Sequence, residues 1–184
     1  MTAAVVLCAG GSRRFGPGQS KLLADFRGRP LVSWALEHAA AAQVGELIVV
    51  VGPTDLSHYV PVGAIVVANP AWASGQASSL QAGIEAARIR GHGAVVVGLG
   101  DQPLVPPEAW AAVAASGSTI AVATFEGRRA PPTRLEQSIW SLLPRDGDEG
   151  ARVVMKARPE LVEEVPCIGD AIDVDTAEDL SRWG

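Results

Sequence analysis

The sequence predicts an α/β architecture of three layers, a doubly wound and mostly parallel sheet between helices, with a small mixed extension towards its end. Three observations carry this expectation. Short runs of branched apolar residues recur along the chain, segments of helical character separate them, and a glycine-rich loop follows the first run. With 184 residues there is enough chain for one good core and too little for two, so residues 1–184 read as one domain.

The runs Ala4 to Leu7, Leu47 to Val51, Ile65 to Val67, Ala94 to Leu99 and Ile120 to Phe125 have the length of strands. Their near-continuous apolarity implies burial on both faces, as in a parallel sheet with helices above and below. Between them Leu31 to Ala42, Ser79 to Ile89 and Pro107 to Ala115 read as helices. Ala, Val and Leu carry most of the apolar share, which suits tightly packed helices on a sheet of branched residues. In the last third Leu135 to Leu143 and Gly150 to Ala157 look helical and Leu161 to Val165 extended, before the acidic close Asp173-Val174-Asp175-Thr176. The Pro131-Pro132 pair marks a loop or the start of a strand.

A net charge of -5 leaves no broad basic surface for a nucleic-acid backbone, so any bound anion must be held by a local device. The first apolar stretch has no basic residue before it and runs straight into glycines, unlike a secretion signal. No run reaches membrane-spanning length. Cys8 and Cys167 stand far apart, which offers neither a disulfide framework nor a multi-ligand metal site. A reducing cytoplasm is the expected compartment. His38, His58 and His92 show no spacing suited to a metal or a catalytic triad.

The local device is the segment Leu7 to Lys21, LCAGGSRRFGPGQSK. Gly10, Gly11, Gly16 and Gly18 expose main-chain amides that can wrap an anion, and Arg13, Arg14 and Lys21 can neutralise a polyphosphate. Neither familiar glycine pattern fits. Gly11 and Gly16 have the spacing of a Walker loop, but Pro17 and Gly18 stand where Lys and Ser or Thr should follow. The dinucleotide pattern would need a third glycine where Lys21 stands. A plain glycine turn with solvated arginines is the competing reading.

Gly98-Leu99-Gly100-Asp101-Gln102-Pro103 closes the strongest apolar run, and Pro103 cannot continue a central strand. Asp101 therefore falls at a carboxyl end, the edge of an open parallel sheet where ligands bind and where the first loop must also lie. Taken locally, an Asp before proline is as readily a turn residue. Asp173 and Asp175, two apart in an extended chain, turn both carboxylates to one side. They offer a second half for a metal site, whereas Thr176 with Asp179 reads as a helix-capping pattern. In the stretch from Asn69 to Leu80, Ser78 reads as a helix cap and Trp72 as packing.

Leu7, Ala9, Gly10, Ser12, Arg14, Phe15, Gly16 and Lys21 fall on the pattern of the MobA-like nucleotidyltransferases, which the chain resembles from Leu7 to Leu180. The motif GDQPLV resembles the branch that makes the cytosine dinucleotide form of molybdopterin, and Asp173-Val174-Asp175-Thr176 resembles the family's closing segment. Two departures are a longer stretch from Gly16 to Lys21 and Ala177 in place of a proline.

The resemblance implies a Rossmann-like nucleotidyltransferase fold and a set of roles. Lys21, Arg14 and Asp101 would be catalytic; Leu7, Ala9, Gly10, Gly11, Ser12, Arg13, Gly75, Ser78 and Ser79 would bind nucleotide; Asp101 and Asp175 would hold Mg²⁺. Pro132-Thr133-Arg134-Leu135 and Gly147-Asp148-Glu149-Gly150-Ala151-Arg152 resemble segments on the acceptor side, so Arg134 and Arg152 would face an acceptor phosphate. The implied activity moves CMP from CTP to molybdopterin with release of pyrophosphate, the product passing to a molybdoenzyme. Ala9 and the Gln-Pro after Asp101 lean towards cytidine by family trend. A guanylyltransferase, a transferase for another phosphorylated cofactor precursor and a non-catalytic nucleotide-binding chaperone remain as alternatives.

Overall fold

In a computed structural model, which describes residues 1–11, 15 and 20–183, the first apolar run becomes an interior strand of the large sheet. The chain opens with β1 (Thr2–Cys8), makes a short hairpin of β2 (Asp25–Phe26) and β3 (Arg29–Pro30), and enters α1 (Leu31–Ala41). There follow β4 (Leu47–Val51), β5 (Ile65–Ala68), α2 (Gln76–Ile89), β6 (Ala94–Leu99) and α3 (Pro107–Ala115). The remainder comprises β7 (Ile120–Phe125), β8 (Arg128–Glu136), a 3₁₀ stretch Gln137–Leu142, α4 (Arg152–Ala157), β9 (Val162–Pro166) and α5 (Ala177–Trp183).

The large sheet has the order β5-β4-β1-β6-β8-β7-β9, and its pairs are parallel except those made by β8. This is the expected α/β nucleotidyltransferase type of architecture, three-layered and mostly parallel. From β1 the chain winds outward through β4 to β5, and α2 then carries it back to β6 on the other side of β1. The reversal falls between β1 and β6, where a ligand crevice opens at the carboxyl ends. Leu7 pairs with Leu99 there, and the Gly100 amide donates to the Leu7 carbonyl at 3.0 Å, so the loops leaving both strands start side by side.

Alternation along each strand feeds two cores. Val5, Leu7, Ile48, Val50, Val95 and Val97 meet Leu80, Ile84 and Ala87 of α2 on one face. Ala4, Val6, Cys8, Val49 and Val96 meet α1 and α3 on the other. Burial of both faces explains why these strands read as unbroken apolar runs. In α1 the buried Leu31, Val32, Ala35, Leu36 and Ala39 lie on one helical stripe. Pro107 opens α3, where a missing amide costs nothing.

Three sequence expectations need correction. Leu135 to Leu143 is not one helix: Leu135 belongs to β8, and the 3₁₀ stretch begins at Gln137. Leu135, Ile139, Trp140 and Leu143 all face the same core, which reproduces helical spacing across a strand-to-turn junction. Pro131-Pro132 lies in the middle of β8, at a break in register between Val122 and Ala123 of the partner strand. A bulge leaves such residues unpaired, so an interior strand accepts prolines without losing ladder bonds. Finally, α2 starts at Gln76, so Ser78 lies inside the helix and Gly75 precedes it. Gly75 has φ of 113°, and a Cβ there would lie 2.4 Å from the Gly147 carbonyl oxygen, which is why the position takes glycine.

The acidic close is tied down by a third cluster in which Phe26, Leu31 and Val174 are buried together, with Trp34, Leu104, Leu180 and Trp183 packed around them. The Val174 amide donates to the Asp101 carbonyl at 3.1 Å. Thr176 and Asp179 cap α5 reciprocally: the Thr176 amide donates to Asp179 Oδ2 at 2.8 Å and the Asp179 amide to Thr176 Oγ1 at 3.1 Å. Among the described residues no helix is long and apolar enough to cross a membrane.

Val174 thus anchors the segment that carries Asp173 and Asp175. Val174→Ala should destabilise the protein by about 2 kcal/mol through the cavity it leaves, with an unchanged slope in urea unfolding. An unaltered midpoint would show that the acidic segment is held by something else.

Candidate active site

Three stretches far apart in sequence meet at the carboxyl ends of β1 and β6. They are the loop after β1, Asp101 after β6, and the acidic close docked by Val174. Together with residues 72–76, 79, 148 and 152 they line a cleft of about 560 Å³.

Lys21 is the hub. Its Nζ donates to Asp101 Oδ2 at 2.5 Å and to Asp175 Oδ1 at 2.6 Å, with all three side chains largely shielded from solvent. Burial alone would lower the Lys21 pKa, but the charges and hydrogen bonds of Asp101 and Asp175 outweigh it and hold the ammonium above its ordinary value. The positions that the sequence paired as phosphate ligand and metal ligands are therefore in contact. Asp173 stands beside them, and Gln102 Nε2 donates to its Oδ1 at 2.8 Å. Partial burial raises the Asp173 carboxyl above its ordinary value; Asp101 adds to this, and the Gln102 bond opposes it.

Leu7, Ala9, Gly10 and Gly11 line the cleft as expected. A Cβ on Gly11 would lie 2.4 Å from a ring carbon of Trp72, so glycine lets the loop lie flat against that ring. Trp72 therefore packs and also walls the cleft. Ser12, Arg13 and Arg14, expected nucleotide or phosphate ligands, lie outside the described residues. Gly75 and Ser79 border the cleft, close to where α2 begins. The amino end of a helix there favours an anion.

Ser78 differs from its expected role. It is buried and absent from the cleft lining; its hydroxyl donates to the carbonyl region of Ala71 and Gly75 and accepts from Asn69 Nδ2 at 2.9 Å. It holds the turn before α2 in shape. Arg134 also departs from expectation. On β8 it pairs with Val96 and Ala121, the opposite face from Thr133 and Leu135, and its guanidinium bonds the Ser118 carbonyl. Arg152 instead lines the cleft and opens onto a neighbouring cavity.

Several cleft-forming residues escape a motif reading. Asn69, 5% exposed, bonds both Ser78 and Ser79 through Nδ2 and ties the Asn-Pro turn to α2. Asp148 and Gln76 enter the lining because the Ala77 amide donates to the Gly147 carbonyl at 2.9 Å, joining two separate motifs. Gln102 is only 3% exposed and sits behind the carboxylates, so it positions Asp173 and does not read a base. The histidines serve structure: His38 Nδ1 contacts the Val105 carbonyl, and His92 Nε2 contacts Glu46 at the far end of the sheet.

Hard carboxylate oxygens converging on one cation, on a glycine loop beside a helix start, form a device for a metal-bound polyphosphate. Comparison with known proteins decides which device it is. The profile of the MobA-like NTP transferase domain matches residues 4–163. The chain belongs to this family. It is an enzyme of the MobA-like nucleotidyltransferase type. Among its relatives a nicotine blue oxidoreductase from Paenarthrobacter nicotinovorans is 30% identical, over 97% of this chain and 94% of that protein. Among solved structures, Rv0371c from Mycobacterium tuberculosis matches with a TM-score of 0.85 and 28% identity, over 99% of this chain and 96% of that one. A structure of Rv0371c in complex with manganese matches with a TM-score of 0.78 and 26% identity, over 99% and 97%.

The charge pattern of this MobA-like cleft has a pH consequence. A carboxyl whose folded pKa is raised stabilises the fold below its unfolded pKa and loses that contribution as pH rises through the folded one. Asp173→Asn keeps an acceptor for Gln102 and removes the ionisation. In the metal-free protein the variant should therefore gain melting temperature over the parent as pH rises from about 4; a gap that shrinks or stays flat over that range contradicts the burial argument.

Proposed function

We propose that this MobA-like enzyme transfers CMP from CTP to molybdopterin, releasing pyrophosphate. The observation that carries this reading is the contact of Lys21 with Asp101 and Asp175 at 2.5 and 2.6 Å beneath the glycine loop. A triphosphate needs both a metal and cations, and here their ligands already share one point. The full-length oxidoreductase relative notwithstanding, a cluster of carboxylates around a lysine is built for a metal polyphosphate.

Asp101 and Asp175 fit Mg²⁺ because a hard, well-hydrated ion takes one or two carboxylates and completes its shell with phosphate oxygens and water. When bound, the ion neutralises charge on the triphosphate and on the departing pyrophosphate.

In the proposed reaction an oxygen of the acceptor phosphate forms a bond to the α-phosphorus of CTP. The bond from that phosphorus to the bridging oxygen breaks, and pyrophosphate leaves with the electron pair. Positioning and charge balance suffice, with no covalent enzyme intermediate. Main-chain amides of Ala9, Gly10, Gly11 and Ser12 cradle the phosphates, and Lys21, Arg13 and Arg14 neutralise them. Leu7, Gly75 and Ser79 border base and sugar, while Ser78 acts through the turn it holds. Arg152 meets the acceptor phosphate at the mouth of the neighbouring cavity.

Pyrophosphate release measured with CTP, GTP and ATP, each with molybdopterin and Mg²⁺, tests the whole reading. CTP should be preferred, and Asp101→Asn should lower turnover by about a hundredfold or more while the protein still melts cooperatively. Preference for GTP would make it a guanylyltransferase, and nucleotide binding without any release would make it a delivery chaperone.

Lys21 occupies the space between the carboxylates that the ion would take, so lysine and metal compete. Lys21→Met should raise the affinity of the nucleotide-free protein for Mn²⁺, read by electron paramagnetic resonance, and weaken CTP binding. Unchanged Mn²⁺ affinity would place the metal elsewhere.

A further inference from the structure

Next to the nucleotide cleft lies a cavity of about 240 Å³ that shares Leu7, Gln76, Leu99 and Arg152 with it. The two spaces therefore adjoin, with Arg152 lining both. Leu80, Val97, Val122, Leu135 and Met155 supply an apolar floor. Two of the three cations at its rim are already neutralised, Arg129 by Glu164 at 2.7 Å and Lys156 by Glu149 at 2.9 Å. The third, Arg152, has its amide on the Glu149 carbonyl at 3.0 Å and its charge near the Glu149 carboxylate, while its guanidinium makes no salt bridge among the described residues.

Among the buried residues of the wall one is polar. Thr133 on β8 stands opposite Val97 and Val122, is 7% exposed, and lines the cavity. Its hydroxyl has no hydrogen-bond partner among the described residues. A hydroxyl that the protein leaves unpaired and open to a cavity is satisfied by water or by a ligand. Pockets for small molecules have this character: an apolar lining with a few polar groups that fix orientation.

We propose that Thr133 is a specificity-determining residue for the acceptor. The acceptor is then a phosphate monoester whose phosphate meets Arg152, part of whose body packs on the apolar floor, and one of whose hydrogen-bonding atoms meets the Thr133 hydroxyl. This rests on the nucleotidyl-transfer reading above and narrows its second substrate. The guanidinium at one end and the hydroxyl within the wall set the two polar points that the acceptor must match.

Calorimetric titration of the full chain with three phosphate monoesters tests this, each run with Mg²⁺ and a non-hydrolysable CTP analogue and again without nucleotide. The probes are phenyl phosphate, pyridin-3-yl phosphate and glycerol 3-phosphate. Both aromatic esters should bind at least about tenfold more tightly than glycerol 3-phosphate. Thr133→Val, which keeps the volume, should weaken the pyridyl ester about three- to tenfold and leave phenyl phosphate unchanged, and Thr133→Ser should restore the pyridyl ester. A preference for glycerol 3-phosphate, no binding of any ester, or an equal effect of Thr133→Val on both aromatic esters would overturn the proposal. Failure of the CTP analogue to bind would sink the nucleotidyl-transfer reading instead, and the nucleotide-free titrations would still decide the role of Thr133.

Discussion

Two carboxylates from distant parts of the chain share one buried ammonium, and the arrangement of this end of the molecule follows from that. Asp101 and Asp175 each lie within 2.6 Å of the same nitrogen, so they cannot be far from each other. Two like charges about 4 Å apart repel by roughly 4 kcal/mol at the effective dielectric of a protein surface. Without a cation between them the acidic close would be pushed away from β6. Lys21 removes the repulsion, and the raised pKa of its ammonium is the same interaction seen from the other side. A site that needs positive charge even when idle is ready to accept it from elsewhere.

The fold supplies the meeting point before any of these side chains does. The parallel register of β1 and β6 sends two loops out together at the place where strand order reverses. One loop brings glycine amides and Lys21, and the other brings Asp101. The third contribution needs a separate anchor, because the acidic close follows an edge strand remote from β1. Val174 provides it by burying its side chain against Phe26 and Leu31 while its amide bonds the Asp101 carbonyl. Alternation in an extended segment then turns Asp173 and Asp175 towards the cleft, so a hydrophobic contact on one side fixes the charges on the other.

What the sequence made legible follows from periodicity and punctuation. Strands buried on both faces are continuous apolar runs, and β1, β4, β6 and β7 were readable to within a residue or two. Asp101 could be placed at the ligand edge because glycine and proline bracket it. The strand β8 was not legible, since its prolines and arginines disguise it and its last leucine joins a helical spacing with residues beyond. Without that strand, neither the outward turn of Arg134 nor the inward turn of Thr133 could be foreseen. Ser78 was misjudged for a related reason. A serine ahead of an apolar run usually caps a helix, but Gly75 with its positive φ had already started α2 and left the hydroxyl to brace the turn. The role of Gln102 has no local sequence signal, because its partner Asp173 is brought to it only by tertiary docking.

The contrast between the two adjoining spaces argues for a division of labour between substrates. The nucleotide cleft is built from amides, carboxylates and lysine, groups that grip phosphates and are indifferent to what the phosphates carry. On the proposed reading, selectivity for the acceptor arises next door, where Leu, Val and Met form most of the buried wall. Apolar contact alone discriminates weakly, by one or two orders of magnitude per group, whereas a buried hydrogen-bonding group left unpaired by the wrong substrate discriminates more strongly. In that cavity Thr133 offers a hydroxyl that the protein leaves unpaired, on the strand of the large sheet that runs antiparallel to both its neighbours. The register break at Pro131-Pro132 falls within the stretch of that strand that lines the pocket. Insertion of β8 between β6 and β7 thus gives the proposed acceptor side a wall of its own, so that on this reading substitutions along its inward face would retune the second substrate while leaving the phosphate-gripping end unaltered.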